Sequence, residues 1–429
     1  MISTLSRRGF LAAAGAAATA ATLARPSIAR AQGAARLVVV GGGFGGASAA
    51  RFARLAYPWL DVTLVEPQAR FVTCPYGNLV LAGRLGMDDI THSYDALRAR
   101  GVKVVQDWVD GIDPVAKTMR LRGGATLGYD RAILSPGIAL RWGAIEGYDE
   151  AASQLLPHAW IPADGRQTSL LRRQLEAMDD GGVVGIAIPG NPFRCPPGPY
   201  ERIGMIAEYL KKHKPRAKIL ALDAKDAFSK QALFQDGWKQ LYGDMIEWVP
   251  LSKDGKVVRV DAATRTLETE FGVKHQVAVA NVIPPQSAAR LAIDAGLADA
   301  AGWVPVDPRT FEAKAAPGIH VVGDANNGAP MPKSGFVANN TAKQAVASAA
   351  ALLRGEAPPE AVYFNTCYSH VGPEYGISIV GVFRPTATGI AEVPNSGGVS
   401  PRGDLPDQRR FEAVYADAWY RSITEDTFG

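Results

Sequence analysis

LVVVGGGFGGASAARFARLAYPWLDVTLVEP, residues 37–67, decides the fold. An apolar strand from Leu37 to Val40 runs into Gly41-x-Gly43-x-x-Gly46. A helix follows, and a second strand ends at Glu66, twenty residues beyond the last glycine. Glycines at those positions let the backbone approach a pyrophosphate, the helix N-terminus stabilises its charge, and the acid holds a ribose hydroxyl. A second turn, VVGIAIPGNPFRCPPGPYER (183–202), also leaves an apolar strand and enters a helix. In the same register Gly190 keeps the first glycine position, but Pro192 takes the second and Cys195 the third. Proline has no N–H to offer a phosphate, and neither replacement allows glycine's close approach. The chain therefore reads as an α/β protein that binds one dinucleotide and presents a thiol where a second would sit.

The N-terminus carries Ser6-Arg7-Arg8-Gly9-Phe10-Leu11, an Ala-rich stretch to about Ala24, and Ala29-Arg30-Ala31 as an A-x-A site. This predicts a twin-arginine export signal over 1–31, and hence a periplasmic protein exported already folded. Its apolar run, about 14 residues, falls short of the roughly 20 that span a bilayer. The leader has four arginines and no acids. The 46 basic residues less these four equal the 42 acidic ones, so the mature chain is formally neutral and suggests no nucleic-acid partner. No later segment is apolar enough to span a membrane. The remaining chain, about 398 residues, predicts two or three domains.

Three cysteines are present, Cys74, Cys195 and Cys367. An exported location permits disulfides, but an odd count leaves one thiol over, and any of three pairings is open. No C-x-x-C-H motif occurs, so the chain holds no c-type haem of its own, and no Cys/His cluster has zinc spacing. Cys74, eight residues after Glu66, reads either as a buried apolar thiol or as one within reach of the bound ring.

Further along, APGIHVVGDANN (316–327) reads as a strand ending at Gly323-Asp324, followed by Lys333-Ser334-Gly335 and an Ala-rich helix over about 338–353. Paired with the first fingerprint, a strand ending in Gly-Asp before a helix is a second FAD signature, the Asp binding ribityl or pyrophosphate oxygens. The predicted organisation is two Rossmann-like dinucleotide-binding domains and a smaller C-terminal domain. The FAD domain takes 32–147 and 290–357, an NAD-like domain carrying Cys195 takes 148–289, and a flavin-capping or interface domain takes 358–429.

These motifs converge on one family. The blocks Thr73-Cys74-Pro75-Tyr76-Gly77-Asn78, Arg194-Cys195-Pro196-Pro197-Gly198-Pro199-Tyr200-Glu201-Arg202 and Met331-Pro332-Lys333-Ser334-Gly335 carry the resemblance. So do Asn365-Thr366-Cys367-Tyr368 and the closing Trp419-Tyr420 with Phe428-Gly429. The chain resembles the flavoprotein subunit of flavocytochrome c sulfide dehydrogenase, in the wider group of sulfide:quinone oxidoreductases and glutathione reductase-like enzymes. The resemblance implies FAD tethered through Cys74, a redox-active disulfide between Cys195 and Cys367, and Glu201 close to it. It also implies a c-type cytochrome partner in a heterodimer. Cofactor-binding positions are then Gly41, Gly43, Gly46, Glu66, Cys74, Asp324, Lys333 and Trp419, with no metal. Hydrosulfide would open the disulfide and pass its electrons through the flavin to the haem. Glu201 reads as a proton acceptor or as a carboxylate stabilising a helix N-terminus, and Lys333 as a counter-charge to the reduced ring or a solvated lysine. The alternatives are a sulfide:quinone oxidoreductase, which the polar, Pro-rich C-terminal end argues against, and a flavin electron-transfer or assembly protein without turnover. An NADH dehydrogenase is disfavoured by the altered second turn.

Overall fold

Two parallel sheets, each built on one of the Gly-rich turns, carry the molecule. The computed structural model describes residues 34–429, so the predicted leader lies outside the described residues. The first sheet contains β1 (Ala35–Val40), β2 (Leu60–Val65), β3 (Lys103–Val105), β4 (Arg131–Leu134) and β9 (Ile319–Val321), in the order β9-β4-β1-β2-β3. Leu37–Val40 pair in parallel register with Arg131–Leu134, so the late strand preceding Asp324 closes the sheet begun at the first fingerprint. Leu37 to Val40 are all buried, as a strand covered on both faces requires. Helix α1 (Gly46–Ala56) turns Ala47, Ala49, Ala50 and Ala53 inward. Alanines let a helix lie close to a sheet, and Gly46 brings it closer still: a Cβ there would sit 1.7 Å from the Gly41 carbonyl oxygen.

The second sheet contains β5 (Val183–Ile188), β6 (Lys218–Asp223), β7 (Ile246–Val249) and β8 (Val279–Val282), in the order β7-β6-β5-β8, all parallel. Helix α2 (Gly198–His213) starts where the sequence predicts, with Pro199 in its first turn, and buries Tyr200, Ile203, Ile206 and Leu210 against this sheet. The other face is covered by Val260, Leu267 and Tyr148. Helix α3 (Gln231–Tyr242) follows β6.

Helix α4 (Gly335–Leu353) leads into an antiparallel hairpin, β10 (Tyr363–Gly372) with β11 (Tyr375–Pro385), which sets Cys367 opposite Ile379. The chain ends in α5 (Pro406–Phe428). This end differs from the polar, Pro-rich end read from the sequence. It is the longest helix described, and its inner face buries Ala413, Ala416, Tyr420 and Phe428. Its outer face leaves Phe411, Val414 and Tyr415 half-exposed. Pro406 opens the helix instead of interrupting it, because proline lacks only an N–H that the first turn leaves unpaired. α5 reaches the first sheet's layer, where Thr427 Oγ1 lies 3.1 Å from Ser48 Oγ on α1 and Phe428 stacks on His92. Within segment 118–130, Thr118–Leu121 and Thr126–Gly128 form a hairpin. Among the described residues no helix is long and apolar enough to cross a membrane, and no group of His, Cys, Asp or Glu is arranged to hold a metal.

Candidate active site

A cavity of about 920 Å³ runs from the first Gly-rich turn to the three cysteines. Gly41 to Gly45, Glu66, Asp324, Ser334, Trp419 and all three cysteines line it. Glu66 accepts the N–H of Gly42 at 2.6 Å and of Gln68 at 2.9 Å, and burial pushes its carboxyl above the usual range. Asp324 is part-buried at the head of the turn before α4, its Oδ1 is buried with no partner, and desolvation raises its carboxyl too. Trp419 Nε1 is likewise buried without a partner. Two orphaned polar atoms on one long cavity mark where a ligand would complete the hydrogen bonding. Ser334 caps α4, accepting from Val337 N at 3.1 Å, so the N-terminus of a 19-residue helix also opens there. Glycine cradle, ribose-side acid, unpartnered Asp324 and helix N-terminus together fit FAD.

Lys333 lines the same cavity and is part-buried instead of solvated. Its ammonium donates to the carbonyls of Asp324 and Asn326, each at 2.7 Å, and lies 3.8 Å from the centre of the Trp303 ring. Burial lowers it to about 8, and the charge of Asp324 opposes that shift. It ties down the turn that presents Asp324.

Cys195 stands at φ +58°, a left-handed conformation that non-glycine residues seldom adopt. Its N–H donates to Lys333 O at 2.7 Å, and its carbonyl accepts from Gly198 N at 2.8 Å. Its sulfur lies over the first residue of α2, because a Cβ on Gly198 would meet Sγ at 3.0 Å. Cys74 follows the short strand Arg70–Val72 in a loop braced by Thr73 Oγ1, which donates to Pro75 O and lies 2.8 Å from Tyr420 OH. Cys367 comes from the middle of β10. Positions 74, 195 and 367 thus converge, all three as free, partly exposed thiols. The neighbouring Cys195 sulfur, with Arg194 and Arg202 nearby, lowers the Cys74 thiol to about 6 against its burial. The Cys74 sulfur and burial push the Cys195 thiol up. Cys195 and Cys367, but not Cys74, also line a second cavity of about 580 Å³. Phe193, Phe228, Met331 and Phe383 are among its apolar walls.

Glu201 is engaged at both oxygens. Oε2 accepts from Asn78 Nδ2 at 2.8 Å, and Oε1 accepts the backbone N–H of His370 at 2.9 Å. It therefore joins α2 both to the loop after Cys74 and to the strand of Cys367. Several site residues escaped the sequence reading. Arg202 is buried and donates to Asn78 Oδ1, Asn281 Oδ1 and the carbonyls of His158 and Ala159, and burial lowers it to about 10. Tyr76 donates to Asp417 at 2.5 Å and stacks on Tyr420, closing α5 over the Cys74 loop. Lys230 reaches Cys367 from the residue before α3. Asn78, Tyr76 and Arg202 stand inside the quoted blocks but carry no motif of their own. Lys230 has no local signal at all.

Residues 168–284 match the family described as sulfide dehydrogenase (flavocytochrome c) flavoprotein chain, central. Residues 359–428 match flavocytochrome c sulphide dehydrogenase, flavin-binding, and 35–160 match pyridine nucleotide-disulphide oxidoreductase. A sulfide dehydrogenase (flavocytochrome c) flavoprotein chain of Chlorobaculum thiosulfatiphilum is 60% identical over 48 residues, 11% of this chain and the whole of that sequence. The mitochondrial sulfide:quinone oxidoreductase of Mus musculus is 25% identical over 297 residues, 68% of this chain and 65% of its own length. The match therefore spans just under two thirds of that relative. Among solved structures, the sulfide:quinone oxidoreductase of Aquifex aeolicus superposes with a TM-score of 0.67 at 19% identity, covering 92% of each chain. That likeness bears on the fold.

Proposed function

We propose, from the premise that the chain belongs to the flavocytochrome c sulfide dehydrogenase flavoprotein family, that it oxidises sulfide through a Cys195–Cys367 disulfide and FAD and passes the electrons to a c-type cytochrome. The observation that carries this reading is the placement of Cys195 and Cys367 between two cavities, one fitted for the flavin and the other with apolar walls. Hydrosulfide attacks one sulfur of the oxidised pair, forming a persulfide and releasing the partner as thiolate. A left-handed Cys195 over the start of α2 places that exchange at a helix N-terminus, where negative sulfur is favoured. Bound FAD supplies a two-electron acceptor that can release its electrons singly. Gly41, Gly43, Gly46, Glu66, Asp324 and Trp419 would hold it, and Cys74 would tether it covalently. Glu201 acts by position, fixing the Cys367 strand against the helix that follows Cys195. The proposed setting is the periplasm, with a separate haem subunit.

Anaerobic addition of sulfide, followed through the flavin spectrum, tests the reading. Sulfide should bleach the wild-type flavin, whereas Cys195→Ser and Cys367→Ser should not respond to sulfide yet still be reduced by dithionite. Sulfide turnover at near wild-type rate in either variant would rule the exchange out. A quinone as acceptor is the second reading, supported by the half-exposed Phe411, Val414 and Tyr415 on α5. Reoxidation by cytochrome c but not by a soluble quinone separates the two.

A further inference from the structure

Lys230 has no part in the chemistry above, yet its position is unusual. It precedes α3 at φ +63°, a conformation non-glycine residues seldom adopt, and it is 7 % exposed. Its ammonium donates to Ser369 Oγ at 2.8 Å and Cys367 O at 3.4 Å, and lies 4.0 Å from Cys367 Sγ. Among the described residues it forms no ion pair with a carboxylate. Lys225, the other buried lysine nearby, has Asp223 at 2.6 Å. An ammonium taken out of water without a counter-ion is costly, so such a group survives where an anion is supplied at some stage. The group beside it able to become one is the Cys367 sulfur.

We infer that Lys230 is the built-in counter-ion of a Cys367 thiolate, present when the Cys195–Cys367 bond is open and absent when it is closed. The inference rests on the proposed redox role of that pair, and it names the residue that makes negative charge at Cys367 tolerable. The groups facing this sulfur are Cys195, Lys230 ahead of α3, Glu201 on α2 and Ser369 on its own strand. Burial, the largest influence, and Glu201 push the Cys367 thiol up; Lys230 and Ser369 pull it down without cancelling that rise, so Lys230 limits the cost of the anion. A thiol whose anion is favoured is the better nucleophile at neutral pH and the better leaving group. Lys230 thereby positions charge in the exchange without contacting the flavin cavity, whose lining does not include it.

Alkylation of the reduced holoenzyme with iodoacetamide at pH 7, read cysteine by cysteine by mass spectrometry, tests this directly. Lys230→Gln keeps an amide donor for Ser369 and removes only the charge. It should slow alkylation of Cys367 at least tenfold and move its pH midpoint upward, while Lys230→Arg should stay within threefold of wild type. A wild-type rate and midpoint at Cys367 in folded Lys230→Gln would overturn the inference and leave Lys230 a brace for Ser369. Should the neutral variant fail to fold, the wild-type chain still decides. Iodoacetate, an anion, should gain on neutral iodoacetamide at Cys367 relative to the unfolded chain, and a ratio no higher than in the unfolded chain would overturn the inference. Neither measurement uses sulfide, so failure here is distinct from failure of the sulfide-oxidising reading.

Discussion

Replacing Glu201 by glutamine separates a proton acceptor from a clamp. The carboxylate takes two donors, the Asn78 amide at 2.8 Å and the His370 N–H at 2.9 Å. The His370 N–H cannot turn. The Asn78 amide cannot flip either, since its Oδ1 accepts from Arg202 Nε at 3.1 Å while its Nδ2 also donates to Gly198 O. A glutamine has a single acceptor oxygen, so its NH₂ must face one of these donors. One part-buried donor then loses its partner, which costs about 1–3 kcal/mol. For a chain of this size that lowers the melting temperature by about 1–4 °C. Because the clamp joins α2 to the Cys367 strand, sulfide-dependent flavin reduction should fall by less than about tenfold. A proton acceptor predicts a far larger loss, roughly 10²–10⁴-fold. Scanning calorimetry and stopped-flow flavin spectra on one preparation decide it. Unchanged melting with a hundredfold slower reduction would refute the clamp.

Gly46→Ala puts a Cβ 1.7 Å from the Gly41 carbonyl, so α1 must lift from the first sheet; flavin content should fall well below that of the wild type, as measured by absorbance per chain. Acid denaturation of the wild-type protein should leave yellow flavin on the polypeptide, and Cys74→Ser should release it; free FAD from the wild type would refute the tether. NADH should not reduce the flavin, because Pro192 and Cys195 occupy glycine positions of the second nucleotide turn, and micromolar NADH binding by calorimetry would count against this. His320 is buried and neutral, its Nδ1–H donating to Thr310 O and its Nε2 accepting from Arg131, and burial lowers it to about 4 from 6.5. Its folded pKa is depressed, so the stability it contributes is full above pH 6.5 and lost as pH falls toward 4. The slope is at most about 1.4 kcal/mol per pH unit, and urea titrations should show it flatten in His320→Gln.

Local sequence determined the parts of this protein that depend on backbone chemistry. The spacing Gly41-Gly43-Gly46 with Glu66 specifies a strand, tight turn and helix, because only glycine tolerates the contacts that β1 and α1 impose. Gly323-Asp324 and the capped start of α4 follow the same logic, and so does the replacement of two glycines by Pro192 and Cys195. Tertiary structure decided what those pieces do together. The paths of Cys74, Cys195 and Cys367 meet only after two sheets and a C-terminal hairpin have packed. The roles of Glu201 and Lys333 depended on donors and carbonyls from distant segments, which spacing along the chain does not encode. Lys230 is the clearest case. In the sequence it is one lysine before a helix, and its meaning arises from burial beside a sulfur 137 residues away. Burial removes water as the alternative partner, so the identity of the nearest group, set by the fold, becomes what fixes its chemistry.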